Sequence, residues 1–117
     1  MKIIRPRNPQ WRLQPIHSYR MRFEGKTVGE FSIASCCDHL YFADFDVNKE
    51  YRNRGFGSQA LEFVKQLAKR YKLPIRLAVN ANNKAAIRLY RRHGFKNYGT
   101  PGDINRMQWS DHARIGV

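Results

Sequence analysis

The chain has 117 residues, 42% of them hydrophobic, and carries 22 Lys and Arg against 9 Asp and Glu, a formal net charge of +13. That length and apolar content suit a single domain, 1–117, around one core. No apolar run approaches membrane-spanning length, and Arg5, Pro6 and Arg7 cut off the apolar start, so neither a membrane span nor a secretory signal is expected.

Met1 to Pro15 is basic and broken by Pro6, Pro9 and Pro15, which leaves room for one short strand near Lys2 to Arg5. Ile16 to Phe23 and Thr27 to Ser35 flank Glu24-Gly25-Lys26, a hairpin signal. Cys36 and Cys37 are adjacent and alone. They make a poor disulfide framework, which suits a reducing, cytoplasmic compartment. With Asp38 and His39 they form a tight cluster, but His17, His93 and His112 are scattered without zinc-site spacing, so no metal is expected.

Leu40 to Val47 reads as a strand with Tyr41, Ala43, Phe45 and Val47 on one face and Asp44 and Asp46 on the other. Gly57 to Tyr71 carries Ala60, Leu61, Val64, Leu67 and Ala68 at helical spacing and is ended by Lys72-Leu73-Pro74. Ile75, Leu77 and Val79 alternate as a strand. Asn82 or Asn83 caps a second helix that Gly94 closes, and Phe95 to Tyr98 and Ile104 to Trp109 make a last pair of strands. This order predicts an α/β (α+β) fold, a mixed, mostly antiparallel sheet with helices on its faces.

Between the Leu40–Val47 strand and the first long helix stands Arg52-Asn53-Arg54-Gly55-Phe56-Gly57-Ser58. A strand, a glycine-bearing loop and a helix start form an anion cradle. Glycine lets backbone approach a ligand, and the first helical N–H groups and nearby arginines attract phosphate. A Walker loop needs a Gly-Lys-Ser/Thr ending and a dinucleotide fingerprint needs three glycines, and this segment has neither. An ordinary surface turn is the plain alternative.

A second segment, Asn83-Lys84-Ala85-Ala86-Ile87-Arg88-Leu89-Tyr90-Arg91-Arg92-His93-Gly94-Phe95, follows the Ile75 strand. Together the two resemble the GNAT superfamily of N-acetyltransferases. Arg52, Gly55 and Gly57 match its Arg/Gln-x-x-Gly-x-Gly/Ala signature. Asn83, Ala86, Leu89-Tyr90 and Gly94-Phe95 match the second. The resemblance covers roughly Leu40 to Tyr98 and implies acetyl-CoA as acyl donor. Backbone N–H groups from Arg52 to Ser58 (Asn53, Arg54, Gly55, Phe56 and Gly57 between them) would hold the pyrophosphate. Main-chain groups of Phe45 and Val47 would hold the pantetheine arm, which requires the sheet to splay between the Leu40–Val47 and Ile75–Val79 strands. The resemblance also implies Tyr90 as general acid to the departing thiolate and Asn83 as a cofactor contact. Each has a plain reading as well, Tyr90 as a core residue and Asn83 as a helix cap.

No general base emerges: Tyr41, Glu30 and His39 are candidates beside an ordered-water relay. Family members usually carry two helices between the first two strands, and here that pair is reduced or absent. The acceptor pocket is then open, or completed by a second subunit (a homodimer) or by the partner itself. Lys84, Arg88 and Arg91 or Arg92 share one face of the second helix, and Lys65, Lys69 and Lys72 one face of the first. With Lys2, Arg5, Arg7 and Arg12 these suggest a nucleic-acid or other polyanionic partner. Two functions remain open. One is an N-acetyltransferase acting on an amine carried by an anionic macromolecule; the other is a GNAT-fold binding module without turnover.

Overall fold

The computed structural model describes residues 1–4, 16–35 and 38–111. Pro6, Arg7, Arg12, the cysteine pair and His112 lie outside them. Among the described residues seven strands, β1 (Lys2–Ile4), β2 (Ile16–Phe23), β3 (Lys26–Ser35), β4 (Leu40–Val47), β5 (Ile75–Asn80), β6 (Lys96–Tyr98) and β7 (Ile104–Trp109), form one sheet in the order β1-β2-β3-β4-β5-β7-β6. Helices α1 (Phe56–Tyr71) and α2 (Lys84–Arg92) follow β4 and β5, and a 3₁₀ turn spans Lys49–Tyr51. The sheet is antiparallel except at β4–β5. The mixed, mostly antiparallel sheet with helices packed on it agrees with the sequence reading; the stretch expected to lack a helix pair, residues 5–15, lies outside the described residues.

The β2–β3 hairpin closes on Glu24 and Gly25, at φ 50° and 77°. Positive φ at both residues gives the two-residue turn whose twist matches that of the strands. Helix α1 buries Phe56, Ala60, Leu61, Val64 and Ala68, the 3.6-residue stripe expected of a helix laid on a sheet. Tyr19, Phe31 and Phe42 line the sheet beneath it, with successive ring centroids 5.1 and 5.4 Å apart, and Phe63 of α1 meets the first two.

Helix α2 lies beside α1 on this same face. Glu62 Oε1 is 3.2 Å from His93 Nδ1, Lys65 Nζ is 3.3 Å from that nitrogen, and Lys65 also stands over the Trp109 ring. Lys65 is therefore turned into the helix–helix seam, with a side chain only 13% exposed. Of the three lysines expected on one face of α1, Lys65 leaves the surface, whereas Lys72 stays exposed. The aromatic surface of Trp109 and the Glu62 carboxylate outweigh exposure for that one lysine.

The β4 expectation is corrected too. Leu40 and Phe42 are buried in the helix-covered core, and Phe45 and Val47 pack against that same core. Tyr41 and Ala43 point to the opposite side. The phase slips at a β-bulge: Glu30 pairs with Asp46 and Ser32 with Ala43, so three steps along β4 oppose two on β3. Asp44 takes up the extra residue at φ 54°, a left-handed conformation that aspartate accepts more readily than bulkier side chains.

Candidate functional site

Strands β4 and β5 pair in parallel at Leu40↔Ile75 and Tyr41↔Arg76 and nowhere further along. Beyond the bulge they diverge. The β5-facing edge of β4 from Phe42 to Val47 is left without a strand partner, while β5 stays paired to β7 through Asn80. The resemblance required this opening; the register places it where Phe45 and Val47 lie. Phe45 packs on Phe42 at 5.2 Å. Its side chain is committed to the core, and any ligand contact falls to its backbone.

At the same end of β4 the chain passes through the 3₁₀ turn into α1. Asn53 (φ 61°) and Gly55 (φ 84°) are left-handed, and turning the chain twice within three residues directs successive N–H groups to one side. The Arg52 N–H is directed at the Lys49 carbonyl, 3.4 Å away. From Asn53 to Ser58 no backbone N–H has an acceptor among the described residues, and the first return bond of α1 is Gln59 N–H to Gly55 O at 3.1 Å. Such a run of open donors at the positive end of a sixteen-residue helix fits an anionic group.

The two arginines of the loop are not equivalent. Arg52 turns back on β4, its Nε donating to the Val47 carbonyl at 2.9 Å and its Nη2 lying 3.3 Å from Asp46 Oδ1. It pins the loop to the strand. Arg54 stands over three rings, Tyr51, Phe56 and Phe23, at 5.4–5.7 Å. Its guanidinium is held at the loop surface with no carboxylate within ion-pair distance among the described residues. Phe56 itself is buried.

The two glycines differ as well. A Cβ on Gly55 would meet nothing within 4 Å, so only its positive φ selects glycine. On Gly57 it would come within 3.0 Å of Leu89 Cδ2 and 3.3 Å of Phe45 Cζ. Gly57 is small because α1, α2 and β4 converge there, and that contact sets the second motif against the first. Ser58, next along α1, is half-buried.

Asn83 caps α2 through Oδ1, which accepts from Ala86 N–H at 3.2 Å, while its backbone N–H donates to Asn80 O. Its side-chain amide nitrogen remains available at the surface. Tyr90 is 6% exposed, with its ring 5.8 Å from that of Phe95. Burial pushes its phenol up to about 12. Among the described residues nothing accepts from or donates to its hydroxyl.

Of the base candidates, His39 is bonded to Asp38 at 2.7 Å at the closed end of the β4–β5 ladder, and Tyr41 stands opposite Arg76 at that same end. Glu30, opposite Asp46, is the candidate beside the bulge. No group of three or more His, Cys, Asp or Glu among the described residues is placed to hold a metal. Sequence reasoning missed the Arg54 clamp, the bulge and the Glu62–Lys65–His93 seam. The slip from Leu40 and Phe42 to Phe45 and Val47 is the one signal of these that the sequence carries.

The acetyltransferase (GNAT) family model matches residues 4–95. The chain belongs to the acetyltransferase (GNAT) family. Solved members share its fold. A GNAT acetyltransferase from Elizabethkingia anophelis with acetyl-CoA bound has TM-score 0.79 and 13% identity over 94% of this chain and 97% of that one. The PaiA N-acetyltransferase of Thermoplasma acidophilum, in complex with coenzyme A, has TM-score 0.78 and 17% identity over 87% and 65%. A candidate streptothricin acetyltransferase from Bacillus anthracis, in complex with acetyl-CoA, has TM-score 0.75 and 22% identity over 83% of this GNAT chain. This chain spans 64% of the length of the Bacillus protein. No curated protein matches it.

Proposed function

We propose that the chain is an acetyl-CoA-dependent N-acetyltransferase of the cytoplasm, passing the acetyl group to a primary amine borne by an anionic macromolecule. The observation that carries the reading is the run of open N–H donors from Asn53 to Ser58 at the mouth of the β4–β5 divergence. A diphosphate satisfies the first, and an extended amide-bearing arm satisfies the second as one more strand. The bound thioester supplies the activated acetyl group.

This chain's residues do the rest. The loop amides hold charge, the β4 edge orients the arm, and the core face of Phe42 and Phe45 excludes water. Tyr90 keeps its proton at every physiological pH. A thiol ionises near 8.5, so outright transfer from a phenol at about 12 is uphill by roughly 5 kcal/mol. Tyr90 therefore acts as a hydrogen-bond donor to the departing sulfur and keeps its own proton: as the amine nitrogen bonds to the acetyl carbon and the C–S bond breaks, the thiolate is protonated by the proton the amine loses or by solvent.

Thermal unfolding and calorimetry with acetyl-CoA test the reading: saturable stabilisation is expected, because a ligand that prefers the folded chain raises its apparent stability. No interaction at millimolar acetyl-CoA refutes it. Binding without thiol release across amine-bearing acceptors selects the binding module instead.

A further inference from the structure

Both helices cover one face of the sheet, and among the described residues no helix covers the other. The strand registers set Tyr41, Arg76, Gln108 and Lys96 in one row across that open face, with Arg106 and Tyr98 in the next. Arg20 and Arg22 of β2 and Lys2 of β1 stand on the same face at its far flank. The floor between the flanks is small: Ser18, Ser32, Ala34 and Ala43.

Among the described strands the acidic residues are Glu30, Asp44 and Asp46, at the bulge end of β3–β4, with Glu30 opposite Arg20 of β2. Arg20, Arg76, Lys96 and Arg106 have no carboxylate within ion-pair distance among the described residues. Arg76 is also built into position. Its Nε donates to Gln108 Oε1 at 2.7 Å, and its guanidinium lies 5.2 Å from the Tyr98 ring centroid, which leaves its Nη groups unbonded.

We propose that this open sheet face docks single-stranded nucleic acid, with the basic flanks on phosphates and the Tyr41 and Tyr98 rings available to bases. Cations with no carboxylate within ion-pair distance suit phosphate, and aromatic rings beside arginine on a sheet face offer stacking planes to bases. The proposal deepens the reading of an anionic acceptor carrier and rests on it. Phosphates along the flanks would bring an attached amine toward Glu30, Asp44 and Asp46, whose negative charge attracts an ammonium group.

The test is fluorescence anisotropy of the full chain with a labelled oligouridylate of about twelve nucleotides over a salt series, without acetyl-CoA. Replacing Arg20 and Arg106 with Gln should lower the slope of log Kd against log salt by about 1.4, at roughly 0.7 per phosphate contact on a single strand. Tyr98→Leu should weaken binding by about fivefold to a hundredfold, the worth of one stacked base. Arg76→Lys keeps the charge but loses the fork and the ring contact, and should weaken binding while the stabilisation given by acetyl-CoA stays at its wild-type value.

The triple change of Lys84, Arg88 and Arg91 to Gln, on the exposed side of α2, should leave most of the slope intact. If that triple carries the slope and the face variants do not, the open face is not the site although a polyanion still binds. Unchanged binding in all face variants overturns the proposal equally, as when a second copy occupies the face. So does a duplex of the same length binding as tightly. A wild-type chain that ignores the oligonucleotide at low salt yet is stabilised by acetyl-CoA overturns this proposal and leaves the acetyl-CoA reading standing.

Discussion

Aspartate and asparagine at position 55 differ in charge and scarcely in volume, and Gly55 is where that difference reports on the anion site. A Cβ there meets nothing within 4 Å, and φ is 84°. Asn and Asp tolerate left-handed backbone better than other side chains, so both variants should fold with a similar small strain. A carboxylate about 5 Å from a pyrophosphate of two charges, at an effective dielectric of about 40, is repelled by about 3 kcal/mol, on the order of a few hundredfold in Kd.

Without ligand the sign reverses. The same carboxylate beside the unpaired N–H groups of the α1 terminus should stabilise the chain by about 0.3–1 kcal/mol relative to Asn, a rise of about 1–4 °C in Tm. Calorimetric titration with acetyl-CoA and melting curves without it read the two effects separately. Gly55→Asp binding acetyl-CoA as tightly as Gly55→Asn would refute the placement of an anion over the loop, however the melting curves fall.

Tyr90→Phe should leave acetyl-CoA affinity within about twofold and slow thiol release by about tenfold to several thousandfold, since it removes only the hydroxyl. Fold stability should be unchanged because that hydroxyl has no internal partner, and unaltered turnover would make Tyr90 a packing residue. Gly94→Ala should cost about 1–2 kcal/mol, from the left-handed φ of 90° and a Cβ 3.2 Å from Trp109 Cδ1, and lower Tm by several degrees; an unshifted melt would contradict the packing. Burial, and then the Lys65 charge, hold the His93 imidazole below its usual value. The unfolded chain therefore takes up the proton first, and stability present above about pH 6.5 should decline as pH falls through that value toward the folded one. His93→Gln should flatten the acid side of the Tm profile, and an unchanged profile would assign the decline to other groups.

Local periodicity and motif spacing were enough to read the element order, both helices, the hairpin at Glu24-Gly25 and the two family motifs from the sequence. These depend on contacts between residues close in the chain: caps, turns and 3.6- or 2-residue alternation. The β4–β5 opening was legible only through the resemblance. The rest required the tertiary structure because it is settled by residues far apart in sequence. Ser32 and Ala43 meeting across strands decide the bulge, and with it that Tyr41 and Phe45 lie on opposite faces. Trp109 and Glu62 decide that Lys65 turns inward. Leu89 and Phe45 give Gly57 a packing reason that its motif, read as a phosphate loop, did not contain. Charge was countable from the first residue to the last, but its division between an exposed helix side and a helix-free sheet face depends on which side α1 and α2 cover, and only the folded chain decides that.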